Sequence, residues 1–460
     1  MEQSNYWQRL ARKRLSRRRL LAAGGVTALG AGAAMIAGCG GCGDGDGNGP
    51  VLKTPIPGAS PGTPIPGGNA TFGRLLNVLG IDPHLDLTGL DIDLLLYSYL
   101  YSWRQYGEEV VMNNFAESLE TPDPEHLEFI FTLNKGFKIH PGGPGAGEEL
   151  NSEDCKQSFI RRGTSLTAPD KRFPNKIAGK ATDKPALTAA LLTPDPQTFR
   201  FTMAEPFVPS IREMANPTWA IVPAKVIDEY NQLSQVAYGS GPFMLEEFRG
   251  NERIVLRRFP DYALKPRPWL DAITYIVITE SSSLYSAFKS GQHDLNGAIL
   301  SKKQYDEFDN DPDNFAVAAA PSFFYPVIHM KMKPPWDDVN VREAVDLALN
   351  RDEFIETIQD GDGNYNGPIQ WPQVKWALSQ EELRGFYQHN PELAKQKLKD
   401  AGYEGGINVR MKLPKISGAT FIADTAQLIE RQLKPVGIHV QIDEVELGTF
   451  IASTILPGNF

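Results

Sequence analysis

The residues from Pro321 to Asp360 set two periodicities side by side, and so commit the chain to mixed α/β structure. Phe324, Ile328, Met330 and Met332 share one parity, with His329 and Lys331 on the other. Period-two alternation predicts a strand with one buried face. Pro334-Pro335 ends it, because proline has no N–H to give to a ladder. Asn340, three residues before Glu343, predicts a capped helix start. Val341, Val345 and Leu349 follow at helical spacing, and Asn350 with Glu353 predicts a second cap and a second helix.

Charge then narrows the class. The chain has 460 residues and a net charge of −10. Its N-terminal 38 residues hold seven Arg/Lys and one Glu, so the remainder carries −16. An acidic body argues against a nucleic-acid partner, which needs a basic face. Length alone suggests about two to four domains.

The basic head itself reads as an address. Ser16-Arg17-Arg18-Arg19-Leu20-Leu21 precedes a short apolar run, Leu20–Ile36, rich in Ala and Gly. A basic head before a short apolar stretch predicts an export signal over residues 1–38, with Arg17 and Arg18 resembling a twin-arginine pair. The run falls short of the roughly 20 strongly apolar residues a membrane span needs. Ile36-Ala37-Gly38-Cys39 resembles a bacterial lipobox, which implies a lipid on Cys39 and attachment to the outer face of the cell membrane. Cys39 and Cys42 also spell C-x-x-C, but Gly surrounds the pair where a redox motif would open a helix. Cys155 has no evident partner and reads as a small buried hydrophobe.

Residues 39–68 are Gly, Asp, Pro and Ser around a repeated TPIPG, a composition that cannot bury a core. A flexible chain of about 29 residues spans roughly 30 Å r.m.s., which suits a tether. Two calcium-loop mimics fail. After Asp44 the twelfth position is Pro55, and after Asp360 Tyr365 and Trp371 stand where Gly and Glu are required.

In the body, Asn69–Leu79 alternates as a strand and Asp91–Trp103 carries apolar residues at helical spacing. Phe129, Phe131 and Leu133 alternate as a strand, and Ser152 before Glu153-Asp154 opens a helix. His140 has no second ligand at helical spacing, so a turn-capping role is favoured over a metal. Ser240 lacks the Gly two positions earlier that a nucleophile elbow requires, and Tyr238 stands there. No H-E-x-x-H or P-loop occurs.

Several of these blocks together resemble the extracellular solute-binding proteins of family 5, the peptide- and nickel-binding components of ABC importers. They are Ile81-Asp82-Pro83, Phe129 to Phe159, Gly239-Ser240-Gly241-Pro242-Phe243, Ser290-Gly291 with Asp294, and Asn390-Pro391-Glu392 through Ala401-Gly402-Tyr403. The block Pro335-Trp336-Asp337-Asp338 with Val341-Arg342, Ala344, Ala348 and Arg351 completes the set. Trp336, Asn350, Leu119 and Ala263 depart from the family's usual residues.

The resemblance implies a two-lobed, type II periplasmic-binding-protein-like α/β fold with an extra subdomain. It implies a first lobe over 69–280, with that subdomain at about 96–190, and a second lobe over 281–460. Family members run on past the point matching Phe460, so the second lobe reads as incomplete. The implied activity is capture of a peptide or similar small solute by lobe closure, and delivery to an ABC permease. Nickel, haem, sugars and opines stay open as ligands. The implied protein is a monomer that needs no catalytic residue, metal or cofactor. His84, Trp103, Tyr325, Trp371 and Trp376, polar-edged or aromatic groups near predicted loop ends, are candidate ligand contacts. A same-fold signalling or chaperone-like protein without a permease, and a secreted hydrolase, are the rival readings.

Overall fold

The computed structural model describes residues 64–459 apart from 106–108, 166–171, 179–182, 231, 298–299, 312–313, 316–325, 369–376, 417–418 and 456–457. Its first sheet has five strands. β1 (Asn69–Arg74) lies between β10 (Ala272–Val277) and β11 (Leu295–Gly297), parallel to both. β8 (Phe243–Arg249) and β9 (Arg253–Arg258) extend it as an antiparallel meander. Phe72 and Tyr275 are register partners and stack at 5.3 Å, and with Ile254, Leu256 and Ile273 they form the sheet's share of one core. The helix Leu90–Leu96 closes that core with Ile92, Leu95 and Leu96.

Some 200 residues separate β1 from its partner β10, and most of that span builds a second layer. β4 (Ala116–Glu120), β5 (Glu128–Leu133), β6 (Leu191–Asp195) and β7 (Thr198–Thr202) form an antiparallel sheet ordered β4-β5-β7-β6. β5 alternates half-buried and buried, as its phenylalanines predict. Phe129 and Phe201 stack at 4.9 Å, and Phe159 of the helix Ser152–Thr164 packs on Phe173, Phe199 and Trp219. The cap of that helix lies one residue before Ser152. Asn151 caps it reciprocally with Asp154, and Ser152 is its first residue. β2 (Tyr101–Gln105) and β3 (Glu109–Met112) form a hairpin beside this layer.

The second lobe has its own core. β12 (Ile407–Lys415) and β13 (Ile438–Glu446) pair in parallel, joined by the helix Thr420–Leu433. Ile407, Ile438, Ile429 and Leu433 meet Val341, Val345, Ala394 and Leu398 from the helices Val339–Ala348 and Pro391–Asp400. The opposite face of the pair, Asn408, Arg410 and Lys412, is exposed.

Three expectations are corrected. Among the described residues, 326–333 form no strand, and Val327 and Met332 are over half exposed. A period-two pattern becomes a strand only beside a ladder partner, and Pro326, Pro334 and Pro335 withhold donors there. The next helix is capped by Asp338, whose carboxylate accepts the Asn340 N–H at 2.8 Å, so Asn340 is already helical. The helix predicted over Asp91–Trp103 ends at Leu96. Tyr97 turns extended, and Tyr101–Gln105 becomes β2, in keeping with the strand preference of its aromatic residues. The cap at Asn350 is present, with its side chain accepting from the Glu353 N–H.

Candidate ligand-binding site

Beyond β1 the chain folds into a compact loop that faces the second lobe. Leu79 N–H donates to Thr88 Oγ1 at 2.8 Å, and Arg74 pairs with Asp91 while donating to the Thr88 carbonyl at 2.8 Å. This leaves Leu79 and Leu87 on the surface, 55% and 37% exposed. A Cβ added to Gly448 would lie 3.7 Å from Leu79 Cδ1, so the rim of the first lobe meets the end of β13 there. Glu446 caps that end by accepting the Gly448 and Thr449 N–H groups at 3.0 Å.

A buried ion pair supports the loop from beneath. Asp82 is fully buried, and Arg161 grips both its oxygens at 2.7 and 2.5 Å. Asp82 also accepts the N–H groups of His84 and Leu233 at 3.1 and 3.2 Å. Burial alone would raise the Asp82 carboxyl, but the Arg161 guanidinium outweighs it and holds the group below the usual carboxylate range. His84 Nε2–H donates to the Ala220 carbonyl at 2.9 Å, which leaves Nδ1 to accept from Arg161 at 3.0 Å. Burial, with Arg161 beside it, pushes the His84 imidazole down to about 3.

A second clasp joins the layers. His140 is buried, its N–H donates to the Gly239 carbonyl at 2.8 Å, and its ring Nε2–H donates to the Gly241 carbonyl at 3.0 Å. Burial pushes its imidazole down to about 4. Gly241 N–H donates to the Leu96 carbonyl at 3.0 Å, and the Ser240 hydroxyl donates to Ser98 Oγ at 2.7 Å. Ser240 is thus a buried tie between segments, and His140 caps a turn as the sequence predicts.

Both histidines are neutral in the fold and ionise more readily in the unfolded chain, whose ordinary value is 6.5. Their folded values are depressed, so their contribution is complete above pH 6.5 and is lost as pH falls. Each should cost about 1.4 kcal/mol per pH unit between 6.5 and its folded value. Urea midpoints measured from pH 7 to pH 4.5 should reflect this loss, and His140→Gln should lessen it.

The residues singled out from sequence separate. His84 is wholly buried with both ring nitrogens bonded, so it orients the Asp82 loop and offers no free nitrogen. Trp103 lies half-buried on β2, under the Arg212 guanidinium at 4.7 Å and against the phenylalanine core. Tyr325, Trp371 and Trp376, and likewise Arg17, Arg18 and Cys39, lie outside the described residues. Cys155 is buried and free. Among the described residues no three His, Cys, Asp or Glu side chains stand close enough to hold a metal, and no helix is long and apolar enough to cross a membrane. Sequence reasoning missed Arg161, and the Asp-Pro turn gives only half of its pair.

Three cores, two in the first lobe and one in the second, a β1-centred mixed sheet and a facing loop define a two-lobed α/β protein of the type II periplasmic-binding class. AgaA from A. tumefacien R10, in complex with agropinic acid, aligns with a TM-score of 0.69 at 22% identity, over 85% of this chain and 75% of its own. DppA from Helicobacter pylori, in complex with the peptide STSA, aligns at 0.65 and 21%, over 84% and 75%. Residues 110–455 match the family of bacterial extracellular solute-binding proteins, family 5, middle part, and the chain belongs to that family. The glutathione-binding protein GsiB of Salmonella typhimurium is 23% identical over 347 residues, 74% of this chain and 62% of that protein. The dipeptide-binding protein of Escherichia coli K12 is 23% identical over 398 residues, 81% of this chain and 71% of that protein. The chain thus spans about 62% of the length of the GsiB relatives it matches.

Proposed function

We propose that this chain is the solute-capturing component of an ABC importer, that its solute is a peptide or a peptide-like small molecule, and that it works by closing two lobes. The observation that carries the reading is the family match across residues 110–455, reinforced by relatives named for glutathione and dipeptides. Closure needs only a ligand that contacts both lobes and so binds the shut form more tightly. The exposed Leu79, opposite Gly448, and the exposed Leu87 supply apolar contacts on the first-lobe rim. Backbone pairing of an extended peptide would supply the rest of the affinity.

In this reading residues 1–38 direct export through Arg17 and Arg18, Cys39 carries a lipid, and 39–68 tether the body to the outer face of the membrane. Residues 69–280 form the first lobe, with its inserted subdomain, and 281–460 contribute to the second, apart from β11, which pairs with β1 in the first-lobe sheet. The partner is a membrane permease, and the working form is a monomer. Tyr325, Trp371 and Trp376 contribute aromatic contacts, while His84 and Trp103 shape the site from behind.

Calorimetric titration of the full chain with di- to tetrapeptides, nickel and opines tests the reading. Saturable peptide binding, with a smaller radius of gyration in solution scattering, is expected. Tight binding of nickel or an opine with no response to any peptide would discard the peptide class. Leu79→Asp should weaken the peptide by about tenfold, about 1.4 kcal/mol, with little change in the urea midpoint.

A further inference from the structure

The helix Leu90–Leu96 and the residues just after it carry three polar side chains into the first-lobe core. Asp93, Tyr97 and Tyr99 are 0%, 2% and 2% exposed. Among the described residues, neither Asp93 oxygen and neither phenol oxygen bonds any protein group. Asp93 lies on the helix Leu90–Leu96, and Tyr97 and Tyr99 follow it directly into the same buried core. Buried polar atoms are nearly always bonded to protein or to ordered water, and water settles where two to four such partners converge.

We propose that Asp93, Tyr97 and Tyr99 line a buried site for ordered water within the first-lobe core. Asp93 serves there as a neutral acid, able to donate one hydrogen bond and accept others. Burial raises its carboxyl well above the ordinary range, and Asp91, Asp82 and Asp86 push the same way. The cations that face this region are already engaged, Arg74 by Asp91 and Arg161 by Asp82 and His84. From β8, which packs on the helix, the inward groups are Phe243 and Leu245, and Pro217–Trp219 brings no charge. Water suits two phenols and one acid better than a metal does, because each of the three can donate as well as accept.

The folded value of Asp93 is raised, so no penalty exists below about pH 4, where both states are protonated. As pH rises the unfolded chain loses its proton first, and the unfolding constant gains up to tenfold per pH unit. Asp93→Asn, which cannot ionise, should therefore unfold at a higher temperature than the native chain at pH 8, with the gain gone by pH 4. A high-resolution crystal structure of the native protein should show ordered water within hydrogen-bond distance of Asp93 and at least one phenol. The proposal is overturned by a dry site in that structure, or by an Asp93→Asn offset that is the same at pH 4 and pH 8. A native melting temperature that rises with sodium or potassium, and not with choline, would assign the site to a cation and equally overturn it. If Asp93→Asn does not fold, the carboxyl carbon-13 shift of native Asp93 at pH 7 decides whether the group is neutral.

Discussion

Arg161→Met is expected to lower the folding free energy by about 3–5 kcal/mol, the cost of stranding a buried charge. Asp82 has no access to solvent, and two of the bonds on its oxygens come from this one guanidinium. The remaining donors, the N–H groups of His84 and Leu233, are weaker and fixed in the backbone. Methionine roughly keeps the stem volume, so the loss isolates the charge. Urea unfolding followed by tryptophan fluorescence measures it. The deficit should shrink as pH falls, because without Arg161 the Asp82 carboxyl is raised and protonation relieves it. Asp82→Asn combined with Arg161→Met should recover part of the loss, since removing both charges removes the unpaired one. A double variant as unstable as Arg161→Met alone would mean that the pair acts through shape.

The two halves of that pair show what a sequence can carry. Asp82 announces itself locally, as the acid of an Asp-Pro turn at a strand end. Arg161 stands 79 residues away, inside a helix whose other positions explain themselves by capping and burial. Nothing local distinguishes it from the other basic residues of the helix, Lys156 and Arg162. The strand β5 and the cap at Asn350 were legible for the opposite reason. Their signals, alternation or an Asn three residues ahead of the amide it accepts, are complete within one segment. Residues 326–332 carry the alternation but not the partner, and alternation alone does not make a strand. His84 was legible as a special residue and not as a buried one. Its carbonyl partner Ala220 lies 136 positions on. Relations of this kind, made when the inserted layer folds back on the β1 sheet, are the part of the site that composition and period cannot encode.

The same fold-back makes Gly241 a sensitive position, and Gly241→Ala is expected to cost about 3 kcal/mol, the upper range for overpacking. A methyl group there would overlap the Leu95 carbonyl oxygen and come within 2.6 Å of the Leu96 carbonyl carbon. Both are backbone atoms of the helix Leu90–Leu96 and cannot rotate aside. Relief must come from moving the turn. That stretches the Gly241 N–H bond to the Leu96 carbonyl and the His140 bond to the Gly241 carbonyl. Gly239 faces the same helix end, with the Leu96 carbonyl in the place of its missing methyl. The helix carries Leu95 and Leu96 into the sheet core and is the direct continuation of the Leu79–Gly89 loop. A displaced turn should therefore loosen the rim as well as the core. Gly241→Ala is expected to speed amide exchange across residues 79–96 before global unfolding, and to weaken peptide binding beyond what Leu79→Asp does. Gly136→Ala is the control for left-handed backbone strain alone. Gly136 has φ of +86° with nothing within 4 Å of an added Cβ, so it should lose only about 1 kcal/mol and leave exchange at residues 79–96 unchanged.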